Sequence, residues 1–140
     1  MKTSARNQFL GTITAITDGA VNTEVTLDIG ANQSLVAIIT QESAQTLGLV
    51  VDGTCTALIK ASSVILSADT TVVTSARNKL IGKIAKLVPG AVNTDVTLDI
   101  GNGKMVSAII TNTSVAELGL KEGADACALF KAPSVLLMAE

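Results

Sequence analysis

Thr3-Ser4-Ala5-Arg6-Asn7 stands near the start of the sequence and returns unchanged as Thr74-Ser75-Ala76-Arg77-Asn78. The residues beyond each copy repeat in register. Gly11 matches Gly82, Gly19-Ala20-Val21-Asn22-Thr23 matches Gly90-Ala91-Val92-Asn93-Thr94, and Lys60-Ala61 matches Lys131-Ala132. No gap is needed from Thr3 to Leu66, and roughly half of the aligned positions are identical, which identifies an internal duplication. Its period is too long for a solenoid repeat and suits a small domain. The expected organisation is two modules, 1–68 and 69–140, with function carried by what both keep.

Composition narrows the class. Of 140 residues 48% are apolar, yet only Phe9 and Phe130 are aromatic. Val, Ile, Leu and Ala in this proportion suit strands around small cores. A half-chain core is only marginally stable alone, so packing between halves, between chains, or both is expected. A net charge of −2 argues against a general polyanion binder. Histidine is absent, and neither Cys55 nor Cys127 belongs to a C-x-x-C pair, so no zinc or haem site is expected. The two thiols read as core filler in a reducing compartment. No leader-like or membrane-spanning apolar run occurs, giving a cytoplasmic expectation with no membrane partner.

Hydropathy patterning predicts a strand over residues 6–16, ending at the turn signal Asp18-Gly19. Residues 21–29 alternate, with Val21, Val25, Leu27 and Ile29 on one face. Gly30-Ala31-Asn32-Gln33 turns the chain, and Asn102-Gly103 in the second copy is a favoured hairpin pair. Leu35–Ile39 is a continuous apolar run and reads as a strand buried on both faces. Thr40 then caps a short helix that Gly48 terminates; Thr111 and Gly119 repeat the device. Strands over 54–59 and 64–66 complete the module. The predicted class is mainly β: two tandem OB-fold-like five-stranded barrels, each with one short helix.

Enzyme constellations are excluded: without histidine there is no Ser–His or Cys–His pair, and no G-x-x-x-x-G-K-[ST] loop occurs. The shared acids Glu24/Asp95 and Asp28/Asp99 read as solvated strand carboxylates. Both copies also keep Ser4, Arg6, Thr40, Ser43 and Lys60, matched by Ser75, Arg77, Thr111, Ser114 and Lys131. Hydroxyls, a guanidinium fork and an ammonium, with no paired acid, are what a buried tetrahedral oxyanion requires. Thr40 and Ser43 occupy Ncap and N3 of the predicted helix, whose free N–H groups favour an anion. Each residue alone has a bland structural explanation; their joint retention argues for a site. Asn22 and Asn93 are either turn residues or part of a second anion site built from main-chain N–H groups, and the sequence leaves both open.

Ser-Ala-Arg-Asn, Gly-Ala-Val-Asn-Thr-Glu-Val, Ala-Ile-Ile-Thr before Ser and Leu-Gly-Leu, and Leu-Ile-Lys-Ala-Ser-Ser-Val together resemble the molbindin (Mop) domain. Four motifs in order, twice, look like a di-Mop molbindin. The resemblance implies a cytoplasmic molybdate- and tungstate-binding protein serving storage and homeostasis, not an enzyme, with no prosthetic group and no nucleic-acid partner. It implies a homotrimer holding oxyanions at interfaces between modules and subunits, the helix-start hydroxyls coming from a neighbouring module. Ala61 and Ala132 stand where relatives often carry Ser, leaving only a backbone N–H. A second, axial type of site is similar in position to Gly19, Ala20, Val21 and Asn22, and to Gly90, Ala91, Val92 and Asn93. Pro133 replaces Ser62 and removes one N–H from that loop. The alternative is a molybdate-sensing module acting through a partner protein.

Overall fold

The computed structural model describes residues 3–139, so the expected module ends at Met1 and Glu140 lie outside the described residues. The first half runs β1 (Asn7–Asp18), β2 (Asn22–Gly30), β3 (Gln33–Thr40), α1 (Gln41–Leu47), β4 (Thr54–Ile59), a 3-10 turn (Ala61–Ser63) and β5 (Ile65–Ser67). The second repeats it as β6 (Asn78–Pro89), β7 (Asn93–Gly101), β8 (Lys104–Thr111), α2 (Asn112–Leu118), β9 (Asp125–Phe130), a 3-10 turn (Ala132–Ser134) and β10 (Leu136–Met138). The mainly β class, the five-stranded units and the single short helix in each are as the sequence predicts.

Alternation sets which residues enter the core. Asn7, Phe9, Gly11 and Ile13 of β1 point inward while Gln8, Leu10, Thr12 and Thr14 point out. In β2 the inward set is Thr23, Val25, Leu27 and Ile29. Val21, expected on that face, instead precedes the strand and is 71% exposed, because the hairpin turn occupies 19–22. β3 is likewise not buried on both faces. Leu35 and Ala37 are buried, but Val36 and Ile38, on the strand's other face, are only half-buried, as are the outer-face residues Glu24 and Thr26 of neighbouring β2.

β1 serves two partners, pairing with β4 over residues 7–12 and with β2 over 12–18, with a register shift between Ile13 and Ala15. β6 repeats this, shifting between Ile84 and Lys86. Such a bulge curls a sheet toward closure. Glycine sits at the tightest point of the curl. A Cβ on Gly11 would come within 3.0 Å of the Asp28 carbonyl oxygen, and one on Gly82 would run into that of Asp99.

The sheets close across the duplication. Their strand orders are β10-β4-β1-β2-β3 and β5-β9-β6-β7-β8, so each takes its short terminal strand from the other half. Leu136, Leu137 and Met138 pair with Leu58, Ala57 and Thr56; Ile65, Leu66 and Ser67 pair with Leu129, Ala128 and Cys127. One apolar cluster runs through both halves, and Cys55 and Cys127 are buried free thiols. Burial in apolar surroundings raises the pKa of both.

Two buried asparagines lock the halves together. Asn78 Nδ2 donates to the Val36 carbonyl (2.8 Å) and its Oδ1 accepts from the Val36 N–H (2.7 Å). Asn7 does the same at Ser107 (2.9 and 2.7 Å). Each amide satisfies the free edge of the opposite half's last strand, which would otherwise be open to further pairing.

Candidate anion-binding site

The repeated Ser-Ala-Arg-Asn stretch enters β1 and β6 from outside the sheet. Its Asn is buried and turned to the opposite half, which leaves Ser and Arg at the surface. At the other end of each unit, Lys60 and Lys131 precede the 3-10 turns, held by Ser63 N–H to the Lys60 carbonyl (2.9 Å) and Ser134 N–H to the Lys131 carbonyl (2.9 Å). Pro133 fits its turn because the first residues of a helical turn have no internal partner for their N–H groups. Ala61 and Ala132 are buried and bring no hydroxyl to the turn.

Ser4, Arg6, Lys60 and Ala61 come together around one cavity of about 430 Å³, with Leu58, Ile109 and Leu136 as its apolar wall. Among the described residues, no carboxylate lines it. Thr40 and Ser43 line a separate cavity of about 530 Å³ that meets the first only at Leu136. The predicted set of five is therefore split within one chain into a cationic group of three and a hydroxyl pair. Ser75, Arg77, Lys131 and Ala132 hold the corresponding positions in the second half, and Thr111 and Ser114 begin α2.

The hydroxyl pairs cap their helices as expected. Thr40 Oγ1 accepts from the Ser43 N–H (3.0 Å) and donates to Ser43 Oγ (2.8 Å). Thr111 and Ser114 repeat this at 3.1 and 2.9 Å. In each pair the Ser hydroxyl receives the Thr proton, so its own proton remains available for an incoming oxygen.

The arginines differ from expectation. The sequence predicts no paired acid for them and a solvated Glu24 and Asp95; the structure pairs them crosswise. Arg77 donates to both Glu24 oxygens, Nη2 to Oε1 at 2.8 Å and Nη1 to Oε2 at 3.1 Å. Arg6 Nη1 donates to Asp95 Oδ2, leaving Asp95 Oδ1 buried and without a partner among the described residues. The Arg77 hydrogen bonds hold the Glu24 carboxyl below its ordinary value and raise that of Arg77. Strand alternation shows that Glu24 and Asp95 point away from their own core but not that another half's arginine meets them. Asp28 and Asp99 are not merely solvated either: their Oδ1 atoms accept from Gly30 N–H (2.9 Å) and Gly101 N–H (2.8 Å), fixing the positive-φ glycines that start the β2–β3 and β7–β8 turns.

The loops Gly19–Asn22 and Gly90–Asn93 are tight hairpin ends, closed by Gly19 N–H to the Asn22 carbonyl (2.8 Å) and Gly90 N–H to the Asn93 carbonyl (2.7 Å). Val21 and Val92 carbonyls accept from the first helical residues, Gln41 and Asn112. Both loops are exposed, and each is thereby tied to the helix start that carries the hydroxyl pair. Among the described residues, no group of three or more His, Cys, Asp or Glu side chains could hold a metal ion.

A model of the TOBE domain matches residues 3–66 and again 74–137. The molybdenum-pterin-binding protein MopA of Rhodobacter capsulatus is 48% identical over 139 residues, covering 98% of this chain and 52% of that protein. The molybdenum transport protein ModE of Azotobacter vinelandii is 42% identical over 137 residues, covering 98% and 51%. The chain thus spans about half the length of these curated relatives. Among solved structures, the cytoplasmic molybdate-binding protein ModG, in a crystal form with molybdate bound, superposes with a TM-score of 0.96 at 43% identity over the whole of both chains. With both repeats matched, the chain belongs to the TOBE domain family, as a tandem member of the di-Mop molbindin type.

Proposed function

We propose that this chain binds molybdate, and tungstate as its near-isostere, for storage and homeostasis in the cytoplasm rather than for catalysis. The observation that carries the reading is the cavity uniting Ser4, Arg6 and Lys60, lined by no carboxylate among the described residues and with Asp95 reaching only Arg6 from outside it, repeated in sequence as Ser75, Arg77 and Lys131. Two cations match a dianion, and the hydroxyls and turn N–H groups supply directional donors to its four oxygens. The anion is held by hydrogen bonds alone, with no covalent metal ligation and no prosthetic group. Similarity to ModG, described as binding molybdate, supports the same ligand class.

The split of the set supports binding between copies. Within one chain Thr40 and Ser43 do not line the Arg6–Lys60 cavity, so a neighbouring copy is the natural source of the hydroxyl pair. Leu136 at 64% and its repeat mate Ile65 at 64% exposure are apolar surface beside these sites that a homotrimer would cover. The exposed loops Gly19–Asn22 and Gly90–Asn93 would meet at such an assembly's axis as the second class of site. Neither a membrane nor a nucleic-acid partner belongs to this reading. A second reading, a sensing module that acts through a partner protein, is favoured by the similarity to ModE over about half of that protein's length.

The test is equilibrium dialysis of the purified protein against molybdate, with tungstate and sulfate as competitors, followed by metal analysis. The storage reading expects more than one molybdate per chain, displaced by tungstate and not by equimolar sulfate. Sulfate competing equally would replace molybdate by a generic dianion. Specific co-purification of a regulatory protein would favour the second reading.

A further inference from the structure

The crossed carboxylates, Glu24 and Asp95, lie outside the set read as ligands, yet each grips an arginine that set depends on. Glu24 belongs to the first half and holds Arg77 of the second; Asp95 belongs to the second and holds Arg6 of the first. A carboxylate offers a guanidinium the same paired oxygens that a tetraoxo dianion does, so it is an internal counter-anion for that arginine. The two grips are unequal. Glu24 uses both oxygens on two guanidinium nitrogens, whereas Asp95, one carbon shorter, uses one oxygen and leaves the other buried without a partner among the described residues. Glu24 thus engages both terminal nitrogens of Arg77, and Asp95 one of Arg6.

We propose that Glu24 and Asp95 set the affinity of the opposite half's anion site by competing for its arginine, and that the bidentate Glu24 makes the Arg77 site the weaker of the two. This rests on the reading of Arg6 and Arg77 as oxyanion ligands. A dianion reaching Arg77 must displace at least one Glu24 oxygen or share the guanidinium with a like charge; at Arg6 the carboxylate engages one terminal nitrogen rather than two. The arginines are about half-exposed and the carboxylates about one-third, so the competition is modest and reversible, in the range of an ordinary surface ion pair.

The experiment is calorimetric titration of the full chain with sodium molybdate at fixed ionic strength, comparing wild type, Glu24→Gln and Asp95→Glu. Wild type should show two unequal affinities among the arginine sites. Glu24→Gln should tighten the weaker class by roughly twofold to fivefold at unchanged stoichiometry. Asp95→Glu, by lengthening the weaker grip, should loosen the tighter class and bring the two together. Binding that is unchanged or weaker in Glu24→Gln, with wild type binding normally, overturns the inference. Wild type failing to bind molybdate would instead overturn the oxyanion reading, and the inference with it. Should Glu24→Gln fold poorly, ¹⁵N spectra of the wild-type Arg77 side chain serve the same purpose. The resonance should move on molybdate addition as the Glu24 contact is given up, and a static resonance at saturation refutes the competition.

Discussion

In the first half, buried Thr23 donates to Asp18 (3.0 Å); in the second, Pro89 stands in place of Asp18 and Thr94 turns to Asn112 (2.5 Å). Asn112 also donates its side chain to the Gly90 carbonyl (3.0 Å), a tie added to the backbone N–H contact with the loop that it shares with Gln41 of the first half. Gln33 reaches across to Ile81, donating to its carbonyl (2.8 Å) and accepting from its N–H (3.2 Å). Lys104 at the equivalent place is donor-only and lies with its aliphatic stem against Gly30. Yet Arg6/Arg77, Asn7/Asn78 and Gly11/Gly82 are identical between halves. Identity is kept at the asparagine clamps, each of which must fit a fixed backbone edge of the other half, and at the glycines, where a strand of the same half leaves no room for a Cβ. Polar side chains with more reach have diverged both within a half, at Asp18/Pro89, and between halves, at Gln33/Lys104 and Glu24/Asp95.

This contrast can be broken at the asparagines with the largest effect. Asn78→Ala strands the N–H and carbonyl of Val36 in a part-buried setting and should cost about 2–4 kcal/mol, from two unsatisfied groups at about 1–2 kcal/mol each. Because the terminal strands are exchanged, denaturant melts should still show one transition for both halves. Two separate transitions would contradict the interlocked fold.

Gly82→Ala should be next. Its added Cβ would strike the Asp99 carbonyl oxygen, whereas at Gly11 the nearest backbone atom lies at 3.0 Å, a distance small shifts relieve. The second half's bend should therefore lose more, on the order of 1–3 kcal/mol by the usual cost of overpacking, against less than that for Gly11→Ala. Equal losses in thermal unfolding would show that the halves curl alike.

A smaller change should go the other way. Ala31 and Asn32 hold φ near 57°, a conformation Ala tolerates poorly, while Asn102 (52°) and Gly103 (73°) suit it. Grafting the second turn onto the first, Ala31→Asn with Asn32→Gly, should stabilise by about 1 kcal/mol. No gain would mean that Ala31 is not strained.

The smallest effect is in acid. The Glu24 carboxyl is held down chiefly by the Arg77 hydrogen bonds, and that of Asp69 chiefly by the Thr71 hydroxyl and N–H. A depressed folded pKa contributes stability that is present above the ordinary carboxylate range and lost as pH falls through the lowered value. Unfolding midpoints should drop below about pH 4.5, and Glu24→Gln should flatten part of that drop. An unchanged acid profile would mean that the exposed pair carries no stability.

Strands, turns, caps and helix ends were legible in the sequence because period, glycine and N-cap chemistry are local. Thr40, Gly48, Asn102 and Gly103 do what their types dictate. Exchange of β5 and β10 was not legible: Ile65 and Leu136 pattern as strand residues whichever half they join. The gathering of Ser4, Arg6 and Lys60 followed from their joint repetition, but the carboxylates on the arginines did not. Alternation reports that Glu24 faces outward, not which segment of a folded neighbour lies there. Part of the repeated stretch also proves structural, since Asn7 and Asn78 are clamps, a role that only their burial reveals.

The central claim is that Arg6 and Arg77 serve separate oxyanion sites. Molybdate titration of Arg6→Ala, Arg77→Ala and, as a control away from both cavities, Lys86→Ala tests it directly. Each arginine variant should lose about tenfold to a hundredfold in affinity at one class of site, the range of a charge-assisted hydrogen bond, and keep the other class. Lys86→Ala should bind as wild type does. Arginine variants indistinguishable from Lys86→Ala would contradict the account and leave the repeated Ser-Ala-Arg-Asn stretch as structure alone.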